Sequence, residues 1–181
     1  MSTKQTETAA AGPPFFCGDL DIRIAADGTW FHDGGPIGRK PLVKLFAGVL
    51  RREDDGDYWL VTPVERARIR VEDAPFLAVE MQIENAGRDQ VLRFRTNLDD
   101  DITAGPEHPI NFRARPNGEP APYVRVRGAL DALVVRSVYY DLADICVVET
   151  VDGTPMTGVW SSGEFFPFEA VAADETALDE A

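Results

Sequence analysis

The residues best placed to do chemistry lie in one stretch, Gly34-Gly35-Pro36-Ile37-Gly38-Arg39-Lys40. A glycine-rich loop that opens a helix offers backbone N–H groups and the positive end of a helix dipole, which suits an anion. Arg39 and Lys40 stand where cations are electrostatically unfavourable. A phosphate, a carboxylate or an acidic segment of a partner protein would relieve that repulsion. Trp30 and His32 precede the loop and complete the candidate ligand-binding set of Gly34, Gly35, Gly38, Arg39, Lys40, Trp30 and His32. The bland alternative is that both cations point into water and the glycines serve chain geometry. The loop has neither the spacing G-x-x-x-x-G-K-[ST] nor G-x-G-x-x-G.

Other clusters carry less. Asp99-Asp100-Asp101 has the ligand type for magnesium or calcium without the spacing of a calcium loop. His32 and His108 are the only histidines, and no metal site or triad is legible around them. Trp160-Ser161-Ser162-Gly163 is not a nucleophile elbow. Arg66, Arg68, Arg70, Arg93 and Arg95 form a stripe that could face an anionic polymer. Glu80 and Glu84 across the strands would neutralise it. No catalytic residue is assigned, and no cofactor and no metal ligand is expected.

The elements that must position these residues follow from hydrophobic period. The chain has 181 residues, 44% of them hydrophobic, enough for one domain or two small lobes. Leu20, Ile22 and Ile24 alternate with polar residues and predict a strand. Asp27-Gly28 turns it back into Trp30-Phe31-His32. A helix is predicted over about Ile37 to Arg52, with Pro41 tolerable only in its first turn. Four strands then read as one antiparallel meander with a wet face: Tyr58 to Val61, Glu65 to Val71, Phe76 to Asn85, and Gln90 to Asn97. Asp99 to Pro109 is a polar connector. Beyond it come a hairpin around Asn117-Gly118, a helix over roughly Gly128 to Val147, and two strands, Thr157 to Trp160 and Glu164 to Phe168.

A single constant shift maps Arg23 onto Arg113, Gly28 onto Gly118 and Gly38 onto Gly128. Both copies read hairpin, glycine, apolar helix, so a duplicated half-domain is expected. The apolar surface of each helix is wide. Leu130, Val134, Val138 and Leu142 form one stripe on the second, and Leu133, Val135, Tyr139 and Cys146 widen it. Such breadth implies burial on several sides. The expected fold is therefore α+β, a duplicated motif of antiparallel sheet wrapped around a central helix, in two lobes. The lobes are 15–98 and 99–168, between a disordered tail at 1–14 and an acidic disordered tail at 169–181. Only the first copy carries Gly34-Gly35 and Arg39-Lys40, and that difference is where function is sought.

Net charge is −13. Nucleic acid and anionic membranes are not expected partners. No apolar run reaches about 18 residues, and the N-terminus lacks the apolar middle of a signal peptide. A cytoplasmic location is the expectation. Cys17 and Cys146 imply no disulfide framework.

Several strings resemble a known family. Gly18-Asp19-Leu20-Asp21-Ile22-Arg23-Ile24 through Gly28-Thr29-Trp30, Pro36-Ile37-Gly38-Arg39-Lys40, and Tyr58-Trp59-Leu60-Val61-Thr62-Pro63-Val64-Glu65 are similar to the bacterial family of unknown function DUF1285. So are Val71-Glu72-Asp73-Ala74-Pro75-Phe76 and Gly158-Val159-Trp160-Ser161. The resemblance covers about Phe15 to Phe168. It implies an α+β fold with a repeated motif and a role in signal transduction, and it carries over no catalytic residue. The leading expectation is a non-enzymatic ligand- or protein-binding module. The competing ones are a small metal-dependent hydrolase using His32, Asp33 and Asp99 to Asp101, and a structural subunit that forms a homodimer.

Overall fold

The computed structural model describes residues 14–171. The expected tails at 1–14 and 169–181 fall mostly outside the described residues. Glu169 and Ala170 lie inside, at the end of the last strand. The chain forms two compact units. One holds Trp30–Arg70 with the strand residues up to Arg23. The other holds Ile24–Thr29 and everything from Val71 onward.

The first unit is built on β1 (Phe15–Ile24), β2 (Trp30–His32), β3 (Gly35–Pro36), α1 (Lys40–Val49), β4 (Leu50–Arg52), β5 (Tyr58–Val61) and β6 (Glu65–Val71). Its six strands form one sheet in the order β3-β2-β1-β6-β5-β4. Leu50 pairs with Leu60, and Leu60 with Ala67, and all three are buried. Ala67 and Ile69 are buried on β6, and Arg66, Arg68 and Arg70 alternate with them. Strict period two places every other side chain on the core face.

The second unit holds β7 (Phe76–Glu84), β8 (Val91–Thr96), β9 (Asp101–Thr103), β10 (Ile110–Ala114), β11 (Pro120–Arg127) and β12 (Leu130–Val134). It continues with α2 (Arg136–Asp144), β13 (Val147–Val151), β14 (Thr154–Ser161) and β15 (Glu164–Ala170). One sheet runs β10-β11-β12-β7-β8-β9, and a second runs β13-β14-β15. The expected four-strand meander is thus divided, with β5 and β6 in one sheet and β7 and β8 in another.

The α+β expectation of a duplicated sheet wrapped around a central helix is overturned. Among the described residues the protein is mostly β, with three sheets and two α-helices of ten and nine residues. The second predicted helix fails at its start. Leu130 to Val134 is a strand with every side chain buried, pairing antiparallel with β11 and parallel with β7. A central strand covered on both faces reads as a continuous apolar run, and period cannot separate it from a buried helix. Only Val138 and Leu142, the far half of the expected stripe, face inward from α2. The first helix also stops early, and Leu50–Arg52 becomes β4.

The repeat survives only in its hairpin turns. Gly28 and Gly118 both hold positive φ, 80° and 87°. Gly38 leads into α1 without positive φ, whereas Gly128, at φ 50°, turns β11 back into β12. The shared glycines report a common turn and not a common sheet-and-helix unit.

Candidate functional site

The glycine-rich stretch begins as a tight hairpin. His32 pairs with Gly35 and Phe31 with Pro36, so Asp33 and Gly34 are the two turn residues. Their φ values of 49° and 75° are the positive pair that a two-residue turn of this hand demands. Within and beside the hairpin, Asp33 donates to Asp21 O at 3.1 Å and Ile37 to Trp30 O at 2.7 Å.

At the start of α1, Pro41 has no N–H, and Leu42 and Val43 both donate to Arg39 O at 2.9 and 3.2 Å. Leu42 and Val43 thus spend their N–H groups inside the first turn, and Pro41 has none to offer. Arg39 and Lys40 are exposed, and the first turn holds no acidic residue.

Trp30 does not line this loop as a ligand contact. It is only 2% exposed and stacks on Phe46, with ring centroids 6.4 Å apart. Its indole N–H, and that of Trp59, are buried with no acceptor among the described residues. His32 lies on the exposed side of the hairpin, with Nδ1 3.6 Å from the Asp33 carboxylate.

The aspartate run is taken up by structure. Thr96 Oγ1 accepts the Asp100 N–H at 3.0 Å, and Asp99 and Asp101 lie 3.9 and 3.6 Å from Arg95. Asp99 turns the chain at φ 66°. His108 Nδ1 bonds the Arg125 carbonyl at 3.0 Å. Among the described residues no group of three His, Cys, Asp or Glu could hold a metal ion.

The arginine stripe splits between the two units. In the first, Arg68 reaches Asp19 at 2.7 Å and Asp57 at 3.0 Å, Arg70 reaches Asp21, and Arg66 pairs with Glu53 at 2.9 Å while lying 3.9 Å over the Trp59 ring. The Arg68 hydrogen bond holds the Asp19 carboxyl below its ordinary range. In the second unit, Arg93 pairs with Glu84 at 3.0 Å.

A different cluster is built with more care. Register places Arg113, Ala121, Tyr123, Arg125, Asp131 and Leu133 on one face of β10, β11 and β12. Asp131 is buried, its side chain 5% exposed, and accepts from two guanidiniums: Arg125 Nε at 2.6 Å and Arg113 at 2.8 Å. Arg113 lies over the Tyr123 ring at 3.7 Å. The Tyr123 hydroxyl donates to Asp73 at 2.6 Å, and Arg115 donates to the other Asp73 oxygen at 2.9 Å. The Asp73 side chain is 3% exposed.

Burial, and then the Asp73 bond, push the Tyr123 phenol pKa upward, and the Asp73 bond raises that of Arg115. Two buried carboxylates and an aromatic floor thus fix three guanidiniums. Glu119, exposed, comes to 4.0 Å of Arg115. Each of Arg113, Arg115 and Arg125 keeps a terminal nitrogen with no hydrogen-bond partner among the described residues. All three side chains are half-buried. Preordered guanidinium forks grip planar or tetrahedral oxyanions without the entropy cost of first ordering an arginine.

Residues 11–74 match the DUF1285 N-terminal domain, described as a domain of unknown function, and residues 75–168 match the DUF1285 C-terminal domain, described as a protein of unknown function. The chain belongs to the DUF1285 family. Among solved structures, this DUF1285 protein is similar to a DUF1285 family protein from Silicibacter pomeroyi DSS-3, with 48% sequence identity, 93% of this chain and 91% of that one covered, and a TM-score of 0.79. A DUF1285 family protein from Shewanella baltica OS155 is 28% identical, with 69% and 91% covered and a TM-score of 0.53. No curated protein matches. No described helix is long and apolar enough to cross a membrane.

Sequence reasoning missed this arginine cluster, yet a signal was there. Asp131 is the one charge inside Leu130-Asp131-Ala132-Leu133-Val134-Val135, and a charge in a buried run demands a partner. Arg113 and Arg115 stand two apart, which puts them on one face of a strand.

Proposed function

We propose that this protein is a non-enzymatic binding module with a regulatory role in signal transduction, and that its ligand is a small oxyanion or an acidic segment of a partner. The observation that carries this reading is the trio of Arg113, Arg115 and Arg125, anchored from below by Asp73 and Asp131 and open at its outer nitrogens. Three guanidiniums stand over two buried carboxylates, with the exposed Glu119 4.0 Å from Arg115, in a chain whose net charge is −13. Hydrogen bonds to charged groups are worth roughly 1.5–3 kcal/mol each. Two such bonds, together about 3–6 kcal/mol, correspond to a Kd between roughly 6 mM and 40 μM.

The reading is tested by thermal unfolding with inorganic phosphate, and separately with a poly-glutamate peptide, each against chloride at equal ionic strength. Wild type gains melting temperature with at least one of the two, and Arg113→Gln and Arg115→Gln lose that gain. Equal response to phosphate, peptide and chloride, or an undiminished gain in both variants, overturns the proposal.

A further inference from the structure

We propose that β13 is a dimerisation strand, and that its occupant is β13 of a second copy of this chain. The turn Asp152-Gly153, with φ 50° and 80°, joins Val151 to Thr154. In a two-residue hairpin the pair beside the turn is hydrogen-bonded and pairs alternate thereafter. Glu149 with Met156 and Val147 with Gly158 are therefore bonded pairs. Val148 and Thr150 direct both backbone groups outward, where no described residue meets them.

Outer strands usually carry charge or proline that blocks pairing. Here β3 has Pro36, β4 has Arg51 and Arg52, β9 has Asp101, and β15 has Glu164, Pro167 and Glu169, while β10 packs against β15 through Phe112 and Phe168. β13 reads Val-Val-Glu-Thr-Val, with four β-branched residues, and Val148 is 59% exposed. Its one charge, Glu149, is already occupied: Arg88 donates to both oxygens at 2.8 and 2.9 Å and the Trp160 indole donates at 3.1 Å.

These features fit a second copy in one antiparallel register. A two-fold axis at Glu149 sets Val148 opposite the partner's Thr150, and those are the residues with free backbone groups in each copy. The same axis sets Val147 opposite the partner's Val151, an apolar pair on the face that carries Glu149. The two Glu149 side chains meet across the axis, and the exposed Arg88 of each copy supplies the opposing charge. The pattern complements itself, which is what an isologous contact requires.

The test is light scattering of the full chain across a dilution series, with hydrogen exchange read at Val148 and Thr150. Wild type has a mass near twice 19.9 kDa, and both amides exchange more slowly in the dimer than on dilution. Val148→Lys, and separately Thr150→Pro, which removes an N–H not used within the sheet, raise the dissociation constant at least about tenfold. Both keep the wild-type circular dichroism spectrum, and either one folded suffices as a test. A wild type of single-chain mass at its highest soluble concentration overturns the proposal. So does a dimer whose dissociation constant is unchanged in a folded variant.

Discussion

The Arg113 guanidinium lies flat over the Tyr123 ring, 3.7 Å from its centre, and ends on Asp131. The ring thus sits between a cation above and, through its hydroxyl, the Asp73 carboxylate beside it. Strands β10 and β11 and the segment before β7 are tied by this one polar layer, over a small apolar cluster of Ala74, Ala121, Tyr123 and Leu133.

Asp131→Ala should be costly. It strips two guanidiniums of their shared carboxylate, and breaking a buried pair on one side typically costs about 3–5 kcal/mol. The exposed halves of both arginines favour the lower end, so about 3 kcal/mol is expected in urea unfolding. Asp131→Asn, which keeps one acceptor oxygen, should cost less. A change below about 1 kcal/mol for Asp131→Ala would mean that water replaces the pairing.

Tyr123 gives the protein an alkaline weakness. Its phenol is held protonated in the folded state, above its ordinary value of about 10. A raised folded pKa contributes stability that is complete below the unfolded pKa and is lost as pH rises through the folded one. Stability should therefore fall as pH climbs above about 10, and Tyr123→Phe should flatten that fall. At neutral pH the same variant loses the bond to Asp73 and should be less stable by about 1–2 kcal/mol. Urea titrations at neutral pH and across the alkaline range check both parts.

Ser161 is a staple and not a nucleophile. It is fully buried, its hydroxyl accepts the Leu92 N–H at 3.0 Å and donates to Ala104 O at 2.8 Å. It thereby joins the end of β14 to β8 and to the chain after β9. Ser161→Ala leaves the buried Leu92 N–H without its acceptor and removes one of two donors to Ala104 O, and should cost about 2 kcal/mol. Ser162, which also donates to Ala104 O at 2.7 Å, still satisfies that carbonyl, so the larger share falls on Leu92. Thermal unfolding with amide exchange at Leu92 reads this directly.

The legible parts of this fold were local. Period two on Glu65 to Val71 and glycine at Gly28 and Gly118 are decided by a few neighbouring residues, and β6 and the two turns stand where they were read. Leu130 to Val134 was misread because a strand buried on both faces shows the same unbroken apolar run as a buried helix, and the β7 strand that pairs with it lies far away in the chain. The same distance hid the arginine cluster. Asp73 meets Tyr123, and Arg113 meets Asp131, only after β10, β11 and β12 are assembled. At the hairpin, by contrast, the residues Gly34 and Asp33 announce their turn without help. What the sequence alone could not supply was that the Leu42 and Val43 N–H groups both turn back onto the Arg39 carbonyl.

The parallel contact of β12 with β7 has a consequence for how the protein forms. Ala132 meets Phe76 and Leu133 meets Leu77, so the middle of the sheet closes only after every strand between them has left the ribosome. Hairpins such as β7 with β8 and β10 with β11 assemble locally and quickly, while their junction requires a long loop to close. A nascent chain that stops short of Val134 therefore holds β7 with its inner edge bare, and Phe76 and Ala78, fully buried in the finished protein, lack the strand that covers them. The slow step of folding, and the moment of greatest exposure to aggregation, belongs to the arrival of these five residues.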